Sequence, residues 1–382
     1  FSQASIGKEE EEAVLRVLRS GWLTTGKETF AFEEEFANKI GAKHTLAVNS
    51  ATSGLMLAYN ALGIGTGDKI LTTPYTFAST ALAARHLGAE IVYADIEKDS
   101  YNIDPAAIEK ALKEDKNHQI KAIVPVHIAG NVCRMQEINQ IAQKYGVKVV
   151  EDAAHAFPSK TKDGFAGNLG DIGVFSFYAT KTITTAEGGM IATNNPEYAE
   201  KMRVNRLHGI NRPIWDRYTS DKASWEYDVV DEGYKCNLPD ILSAIGREQL
   251  KKADLLFEKR KKIVCRFNQA FKEYDFLTLP PDGDGNAWHL YLLRINQSKL
   301  NINRNQFGAE LQEAGLGISM HFIPHYRFTY FKNRYGLKPE DFANAEKQYQ
   351  ATITLPLWPD MNDEQVEQVI NAVIQTGKQH YV

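Results

Sequence analysis

Residues 135–155 read MQEINQIAQKYGVKVVEDAAH and contain one complete unit of the predicted fold. Apolar residues recur at helical spacing over Met135–Tyr145, and a short run rich in valine follows at Val147–Val150. Two carboxylates, Glu151 and Asp152, end that run, and His155 lies three residues beyond Asp152. A helix, a buried strand and then polar residues are typical of a parallel sheet with a ligand site at the carboxyl ends of its strands.

The same alternation of strand and helix continues on both sides of this unit, from about residue 45 to residue 195. Several apolar runs are rich in Val and Ile without polar alternation, as expected for strands buried on both faces. The sequence therefore predicts an α/β fold with a mostly parallel sheet that helices cover on both sides. The predicted strands are His44–Val48, Lys69–Thr73, Ile91–Asp95, Ala122–Val126, Val147–Val150, Gly173–Phe177 and Gly189–Thr193, and the predicted helices between them are Thr52–Leu62, Phe77–Leu87, Pro105–Lys113 and Met135–Tyr145.

A long helix is predicted to connect this block to the rest of the chain. Asn237 can cap a helix, Pro239 suits its first turn, and apolar residues recur at helical spacing from there to about Lys272. A helix of this length, with its charged middle in solvent, is expected to bridge a large domain, residues 1–245, and a smaller α+β domain, residues 246–382. The other predicted elements are the helices Lys8–Arg19, Arg304–Ala314 and Asp363–Thr376, the strand Trp288–Ile295, and turns at Thr25-Gly26 and Pro280–Gly285.

Length, charge and cysteine content exclude several classes of protein. The 382 residues suffice for one large and one small domain, at about 150 residues for an average domain. The 44 basic and 48 acidic residues give a net charge of −4, which argues against nucleic-acid binding. The three cysteines form neither a disulfide framework nor a zinc motif, so no metal is expected. Without a leader pattern or an apolar window of roughly 20 residues, we expect a cytoplasmic protein that has no membrane partner.

Two segments could bind a charged ligand, and each also has a plainer interpretation. Asn49–Gly54 leads from a strand into a helix, where free backbone N–H groups and hydroxyls can form an anion site; the alternative is an ordinary helix cap. Asp152 ends a buried strand and could hold a cationic ring nitrogen or a metal; the alternative is a cap on the next helix. Glu151 faces the other way and is interpreted as structural, and His155 by itself fits a packed histidine.

A third segment contains a lysine that could act as a nucleophile. Lys181 follows the strand Gly173–Phe177 in a Thr-rich loop before Gly188-Gly189, among mostly apolar and hydroxylic neighbours. Burial would lower the pKa of its amine and make the amine nucleophilic. The alternative is a surface hairpin. Asn237, taken by itself, is only a helix cap.

Together the three segments meet the requirements of one cofactor, pyridoxal phosphate. This cofactor needs an anion site for its phosphate, a carboxylate for its pyridinium nitrogen and a lysine for its aldehyde. An aromatic residue, Tyr75 or Phe77, could stack on its ring, although such residues are more often part of the core. The carboxylate keeps the ring nitrogen protonated, so that the ring can accept electrons when the Cα proton of an amino acid leaves.

Beyond these residues, the sequence resembles the DegT/DnrJ/StrS group of pyridoxal-phosphate sugar aminotransferases, and most closely the ArnB-like nucleotide-sugar 4-aminotransferases. The resemblance covers essentially the whole chain. It implies the aspartate-aminotransferase fold, with a seven-stranded large domain and a small carboxyl-terminal domain, working as a homodimer. The matching segments are Ser20–Gly26, Asn49–Gly54, Glu151–Ala156, Phe175–Lys181, Ala186–Gly189, Gly233–Asn237, Ala287–Tyr291 and Leu355–Asp360.

The resemblance also implies roles for single residues. Lys181 is expected to form the internal aldimine with pyridoxal phosphate, and the cofactor to alternate between this form and pyridoxamine phosphate. Asp152 is expected to pair with the pyridinium nitrogen. Asn237 corresponds to a phosphate ligand that the opposite subunit donates, which implies shared active sites. Tyr178 stands where many relatives carry histidine, so its contact stays open. The other implied positions are Thr52, Ser53 and Ser176 at the phosphate, Phe77 over the ring, His155 near the 3′-hydroxyl, and Trp22, Thr25, Tyr178 and His325 along the sugar-nucleotide pocket.

The activity that the resemblance implies is amino transfer from L-glutamate to the keto carbon, C4 in preference to C3, of a nucleotide-linked keto-sugar. Such a reaction serves surface-polysaccharide or amino-sugar biosynthesis. Lys181 argues against the sugar 3-dehydratases of the group, in which histidine replaces this lysine. Two alternatives are a cofactor-bound regulator or sensor without a working sugar pocket, and an enzyme acting on free amino acids. The sequence does not decide the nucleotide (UDP or dTDP) or the sugar ring. It also leaves two interpretations of Trp215–Tyr218, which either shapes the pocket or forms a surface loop.

Overall fold

The computed structural model describes residues 2–212, 226–283 and 285–382. In the larger part of the molecule the strands are β1 His44–Val48, β2 Lys69–Thr72, β3 Glu90–Tyr93, β4 Ile120–Val124, β5 Lys148–Asp152, β6 Lys160–Thr161, β7 Gly164–Phe165, β8 Ile172–Ser176 and β9 Gly189–Thr193. Seven of them form one sheet in the order β1-β9-β8-β5-β4-β2-β3. In this sheet β9 runs antiparallel to β1 and β8, and the other pairs are parallel. The predicted seven-stranded, mostly parallel sheet is therefore confirmed.

Helices cover both faces of the sheet. Since neighbouring residues of one strand point to opposite faces, they pack into different cores. Val174 of β8 packs with residues of helices α3, α4 and α7, defined below. The next residue, Phe175, packs with Phe32 and Phe36 of α2 on the other face. Burial on both faces explains the apolar runs without polar alternation. The helices of this part are α1 Lys8–Ser20, α2 Lys27–Ile40, α3 Ala51–Ala61, α4 Ser79–His86, α5 Pro105–Glu114, α6 Met135–Tyr145, α7 Pro196–Asn205 and α8 Asp240–Phe271.

A smaller α+β unit follows, with its own core. Its strands β10 Leu277–Thr278, β11 Tyr291–Ile295 and β12 Thr352–Leu355 form an antiparallel sheet, and its helices are α9 Arg304–Glu313, α10 Thr329–Tyr335, α11 Ala343–Ala351 and α12 Asp363–Gln379. Helix α8 belongs to both units: Leu250 packs in a core of the large unit, and Phe267 packs in the core of the small one. The division at residue 245 stays a prediction.

Three predicted boundaries differ from the structure for local reasons. Helix α8 begins at Asp240 with Pro239 as its N-cap, since Asn237 pairs with Val48 of β1 in an isolated bridge. Strand β4 ends at Val124, before Pro125, which has no N–H to continue the ladder. Strand β11 begins at Tyr291, because Trp288 has a φ of 50° and is not extended.

Helix α2 was not predicted, although 14 residues form it.

In the described ranges, no helix combines the length and the apolar character that a bilayer crossing requires.

Candidate active site

A cavity of about 380 Å³ opens at the carboxyl ends of the central strands. Segments that follow β1, β2, β4, β5 and β8 contribute to it, as expected for an open α/β sheet. Two segments of the small unit close its other side. The lining residues are Ser50, Ala51, Thr52, Thr76, Phe77, Ser79, Val126, Asp152, Ala154, His155, Ser176, Tyr178, Thr180, Lys181, Glu187, Gly188, His289, Leu290, His321 and Phe322.

Asp152 is the last residue of β5, and its carboxylate is buried at the cavity. The hydroxyl of Thr80 donates to its Oδ2 at 2.8 Å, and the backbone N–H of Ala154 donates to its Oδ1 at 3.2 Å. Burial raises the pKa of Asp152, against these two hydrogen bonds and the charge of Lys181. No basic side chain of the described residues forms an ion pair with it, so a cationic ligand group would find this carboxylate available.

Lys181 lies in the loop between β8 and β9 and lines the same cavity. Its backbone N–H donates to the carbonyl of Tyr178 at 2.9 Å, which closes a turn and fixes where the side chain leaves the backbone. Burial lowers the pKa of its amine to about 8, and the charge of Asp152 partly opposes that shift. An amine with such a pKa has an appreciable neutral fraction near physiological pH, where an ordinary lysine has almost none, and can therefore act as a nucleophile and a proton carrier.

The start of α3 forms the third part of the site. Ser50 is the N-cap of α3, and its hydroxyl accepts from the N–H of Ser53 at 3.1 Å. Thr52, whose side chain is exposed, lines the cavity. Ser176, the last residue of β8, lines it as well. Free N–H groups and hydroxyls at a helix N-terminus suit a phosphate. Ser53, half-buried, is not among the lining residues.

Gly189 is required where α3 approaches the sheet. A Cβ at this position would lie 2.7 Å from the carbonyl oxygen of Phe175 and 2.9 Å from the backbone nitrogen of Ala51. Both contacts are shorter than side chains allow, so a larger residue would push α3 away from β8. Gly189, the first residue of β9, therefore keeps the helix N-terminus close to the strand ends.

Aromatic and imidazole rings form one wall of the cavity. Phe77 is 63% exposed and lies 6.3 Å, between ring centroids, from Phe322. Phe322 stacks on His155 at 5.4 Å, and His155 lies 4.4 Å from His289. Tyr75, the other candidate for ring stacking, is buried in the core and donates to the carbonyl of His321. Of the two aromatics, Phe77 is the one at the cavity.

Four of the predicted site residues lie away from this cavity. Thr25 and Asn237 line a separate cavity of about 200 Å³, where the side-chain amide of Asn237 donates to the Thr25 hydroxyl at 2.8 Å. The indole of Trp22 donates to the carbonyl of Thr25 at 3.3 Å. His325 is buried, bonds to the Tyr93 hydroxyl at 3.0 Å and stacks on Phe331. The segment Trp215–Tyr218 lies outside the described residues.

The lining residues that were not singled out from the sequence include three, His289, His321 and Phe322. They come from the small unit, more than 100 residues from Lys181, and no local pattern relates them to it. The sequence signal was weak: His289 falls in the matching segment Ala287–Tyr291, and His321 and Phe322 lie a few residues before His325. By contrast, Glu151 points away from the cavity, as predicted, and accepts from the N–H groups of Gly167, Leu169 and Gly170.

The donor set fits pyridoxal phosphate. The buried carboxylate without an ion-pair partner suits its cationic ring nitrogen, the amine of Lys181 suits its aldehyde, and the start of α3 suits its phosphate. The geometry therefore supports a cofactor-dependent reaction at an amine.

Comparisons with known proteins agree with this geometry. The family model of the DegT/DnrJ/EryC1/StrS aminotransferases matches residues 4–374. The spore coat polysaccharide biosynthesis protein SpsC of Bacillus subtilis is 44% identical over 376 residues, which cover 98% of this chain and 95% of SpsC.

Two solved structures are similar over nearly their full length. PseC of Helicobacter pylori, an aminotransferase involved in the biosynthesis of pseudoaminic acid, is 33% identical with a TM-score of 0.91, over 99% of both chains. The putative sugar aminotransferase Spr1654 of Streptococcus pneumoniae, in its PMP form, is 30% identical with a TM-score of 0.92, again over 99% of both chains. Spr1654 has also been solved in a PLP form.

Proposed function

This chain belongs to the DegT/DnrJ/EryC1/StrS aminotransferase family, and from that premise we propose that it transfers the amino group of L-glutamate to C4 of a nucleotide-linked keto-sugar. The enzyme is a pyridoxal-phosphate-dependent transaminase. The observation that carries the proposed transaminase chemistry is the convergence of Lys181, Asp152 and the start of α3 on one cavity. The resemblance to ArnB-like 4-aminotransferases favours C4 over C3.

Three groups of this chain would hold the cofactor. Lys181 would bind its aldehyde carbon, Asp152 its ring nitrogen, and the start of α3 with Thr52, Ser53 and Ser176 its phosphate. Phe77 and His155 would lie beside the ring. When bound, the cofactor supplies an electron sink for the electrons of the Cα–H bond of the amino donor.

Lys181 carries the proton in both half-reactions. In the first, its amine accepts the proton that leaves Cα of glutamate, and 2-oxoglutarate is the product. In the second, it returns a proton to the keto-sugar carbon that receives the amino group. A pKa of about 8 suits both tasks, because a group that titrates near the working pH can accept and donate a proton.

The proposed enzyme is a homodimer with shared active sites. Asn237 lies outside the cavity that Lys181 lines in its own chain, which supports the expectation that it serves the site of a second copy. The three cysteines are free thiols, which fits a reducing compartment such as the cytoplasm. The names of SpsC and PseC support a role in polysaccharide or amino-sugar biosynthesis.

Absorbance spectroscopy of the cofactor-loaded enzyme tests the proposal. We expect L-glutamate to shift the band of the lysine-bound cofactor towards that of the amino form, and one member of a panel of UDP- and dTDP-linked keto-sugars to restore it. Product analysis then shows whether C4 or C3 carries the new amine. A spectrum that responds to no amino donor would instead favour the regulator or sensor.

The variant K181A is the matched control for this experiment. It lacks the amine that moves the proton, so we expect turnover to be lost while pyridoxamine phosphate can still bind. Full activity of K181A would contradict the assignment of Lys181.

A further inference from the structure

His289 is a cavity residue without a partner. Its ring is 95% buried, it lines the same cavity as Lys181, and its Nδ1 has no hydrogen-bond partner among the described residues. The ring contact with His155, at 4.4 Å between centroids, is edge-tilted and provides no hydrogen bond. A buried polar nitrogen without a partner loses its hydration without compensation, unless a ligand completes the site.

A buried guanidinium lies behind His289. Arg260, on α8, is 2% exposed and donates from one nitrogen to the carbonyls of His289 and Leu357, at 3.3 and 3.1 Å. Its Nε has no hydrogen-bond partner, and no carboxylate of the described residues forms an ion pair with it. A buried positive charge without a counter-ion is costly, and an anion bound nearby would reduce that cost.

The ionisable groups that act on His289 are all basic, and Lys181 and Arg260 are the ones among them that carry a positive charge. Its neighbours in the electrostatic sense are His155, Lys181, Arg260 and His321. Burial, followed by these groups, holds the pKa of His289 well below its usual range, so the imidazole is neutral in the empty cavity. An anion beside the ring would reverse part of that effect and raise the pKa.

We propose that His289, backed by Arg260, binds a carboxylate of the amino donor. This inference rests on the proposed function, which brings an amino acid to Lys181. The α-carboxylate is attached to the carbon whose proton Lys181 removes, so it must lie within a few bonds of that amine. The diphosphate of a sugar nucleotide is attached further from its reacting carbon. The imidazole therefore does here what an arginine fork does in other carboxylate sites.

Binding of glutarate to the cofactor-loaded enzyme tests the proposal, because glutarate carries two carboxylates and no amine to transfer. Isothermal titration calorimetry gives its Kd, and buffers of different ionisation enthalpy give the protons taken up. We expect H289Q to weaken glutarate binding at least tenfold and to reduce the proton uptake. The KM for glutamate should rise by a similar factor, while kcat and the KM for the keto-sugar nucleotide change less than threefold.

The variant H86Q, at an exposed histidine at the end of α4, is the matched control and should match the wild type. H289N keeps an amide near the position of Nδ1 but cannot take up a proton. It should bind glutarate better than H289Q and take up fewer protons than the wild type.

Two outcomes would overturn the proposal. The first is that H289Q retains its cofactor band and binds glutarate with a Kd within twofold of the wild-type value. The second applies if H289Q loses the cofactor, and is that H289N binds glutarate with unchanged Kd and proton uptake. Either result would leave the proposed function standing. Glutarate binding through His289 without any amino transfer would overturn the proposed function and, with it, the assignment of this carboxylate site to an amino donor.

Discussion

Two adjacent carboxylates of β5 have different tasks, because successive strand residues point to opposite faces. Glu151 accepts from three backbone N–H groups and from Nε2 of His127, at 2.9 Å. Its oxygens are thus committed to holding the segment 167–170 against the sheet. Among the described residues, Asp152 accepts only from Thr80 and Ala154 and keeps capacity for a ligand. The same chemical group is structural at one position and available at the next.

Replacing Asp152 by Asn tests its task. We expect kcat of D152N to fall about 10–100-fold, because hydrogen bonds to charged groups contribute about 1.5–3 kcal/mol and each 1.36 kcal/mol is a factor of ten. Steady-state kinetics with glutamate measure the effect. T80V, which removes one hydrogen bond but keeps the carboxylate, is the control and should lose less activity. Near-normal kcat in D152N would show that this charge does not support the reaction.

The pKa of Lys181 predicts a pH dependence for cofactor capture. Because the folded pKa is lowered to about 8, the neutral amine grows from a minor to the major form as pH rises from 7 to 9. We expect the rate at which the cofactor-free protein captures pyridoxal phosphate to rise about tenfold over that range and then to level off. Stopped-flow absorbance measures this rate. A rate that keeps rising towards pH 10.5 would mean that burial does not lower this pKa.

At the scale of elements, helix α2 shows how one segment can cap another. Its N-cap, Gly26, has no side chain to offer. Asp240, at the start of α8, accepts instead from the N–H groups of Gly26 and Thr29 through Oδ1, at 2.7 and 3.0 Å, and from that of Glu28 through Oδ2, at 3.2 Å. The capping residue lies more than 200 positions away in the chain, so no local motif announces α2.

The variant D240N should therefore destabilise the protein. An amide offers one acceptor where the carboxylate offers two charged ones, so we expect a loss of about 1–3 kcal/mol in the free energy of unfolding. Chemical denaturation of the loaded enzyme measures it, and kcat at low temperature should change little. E258Q, at an exposed position of the same helix, should unfold like the wild type. Equal stability of D240N and E258Q would show that this cap is not needed.

At the scale of the whole molecule, the cavity depends on both units of the chain. The sheet supplies Lys181 and Asp152, and the small unit supplies His289, His321 and Phe322. Helix α8 runs through the cores of both units and thereby fixes one against the other. Asn237 lies in neither part of the lining, and its proposed task needs a second copy of the chain.

Mixing two inactive variants tests the shared site. N237A and K181A should each be inactive, but a mixed dimer has one site with both residues intact. Random reassociation of equal amounts should therefore restore about a quarter of the wild-type activity. D152N mixed with K181A is the control and should restore none, because both residues line the cavity of the same chain. No recovery with N237A, although co-purification of differently tagged subunits shows mixed dimers, would place Asn237 outside the partner's site.

Much of this protein could be read from its residues alone. Periodicity located all seven strands of the central sheet, because strands buried on both faces are continuous apolar runs. Local chemistry also indicated Asp152 and Lys181, since Asp152 ends a buried strand, Lys181 lies in the loop after another, and parallel strands bring their carboxyl ends to one edge.

The tertiary structure alone brought His289, His321 and Phe322 to the cavity, placed Phe77 there rather than Tyr75, and left His325 in the core. It alone revealed α2, whose cap comes from α8. The physical reason is the same in each case: spacing along a chain specifies local periodicity, whereas contacts between distant segments depend on how helices and sheets pack.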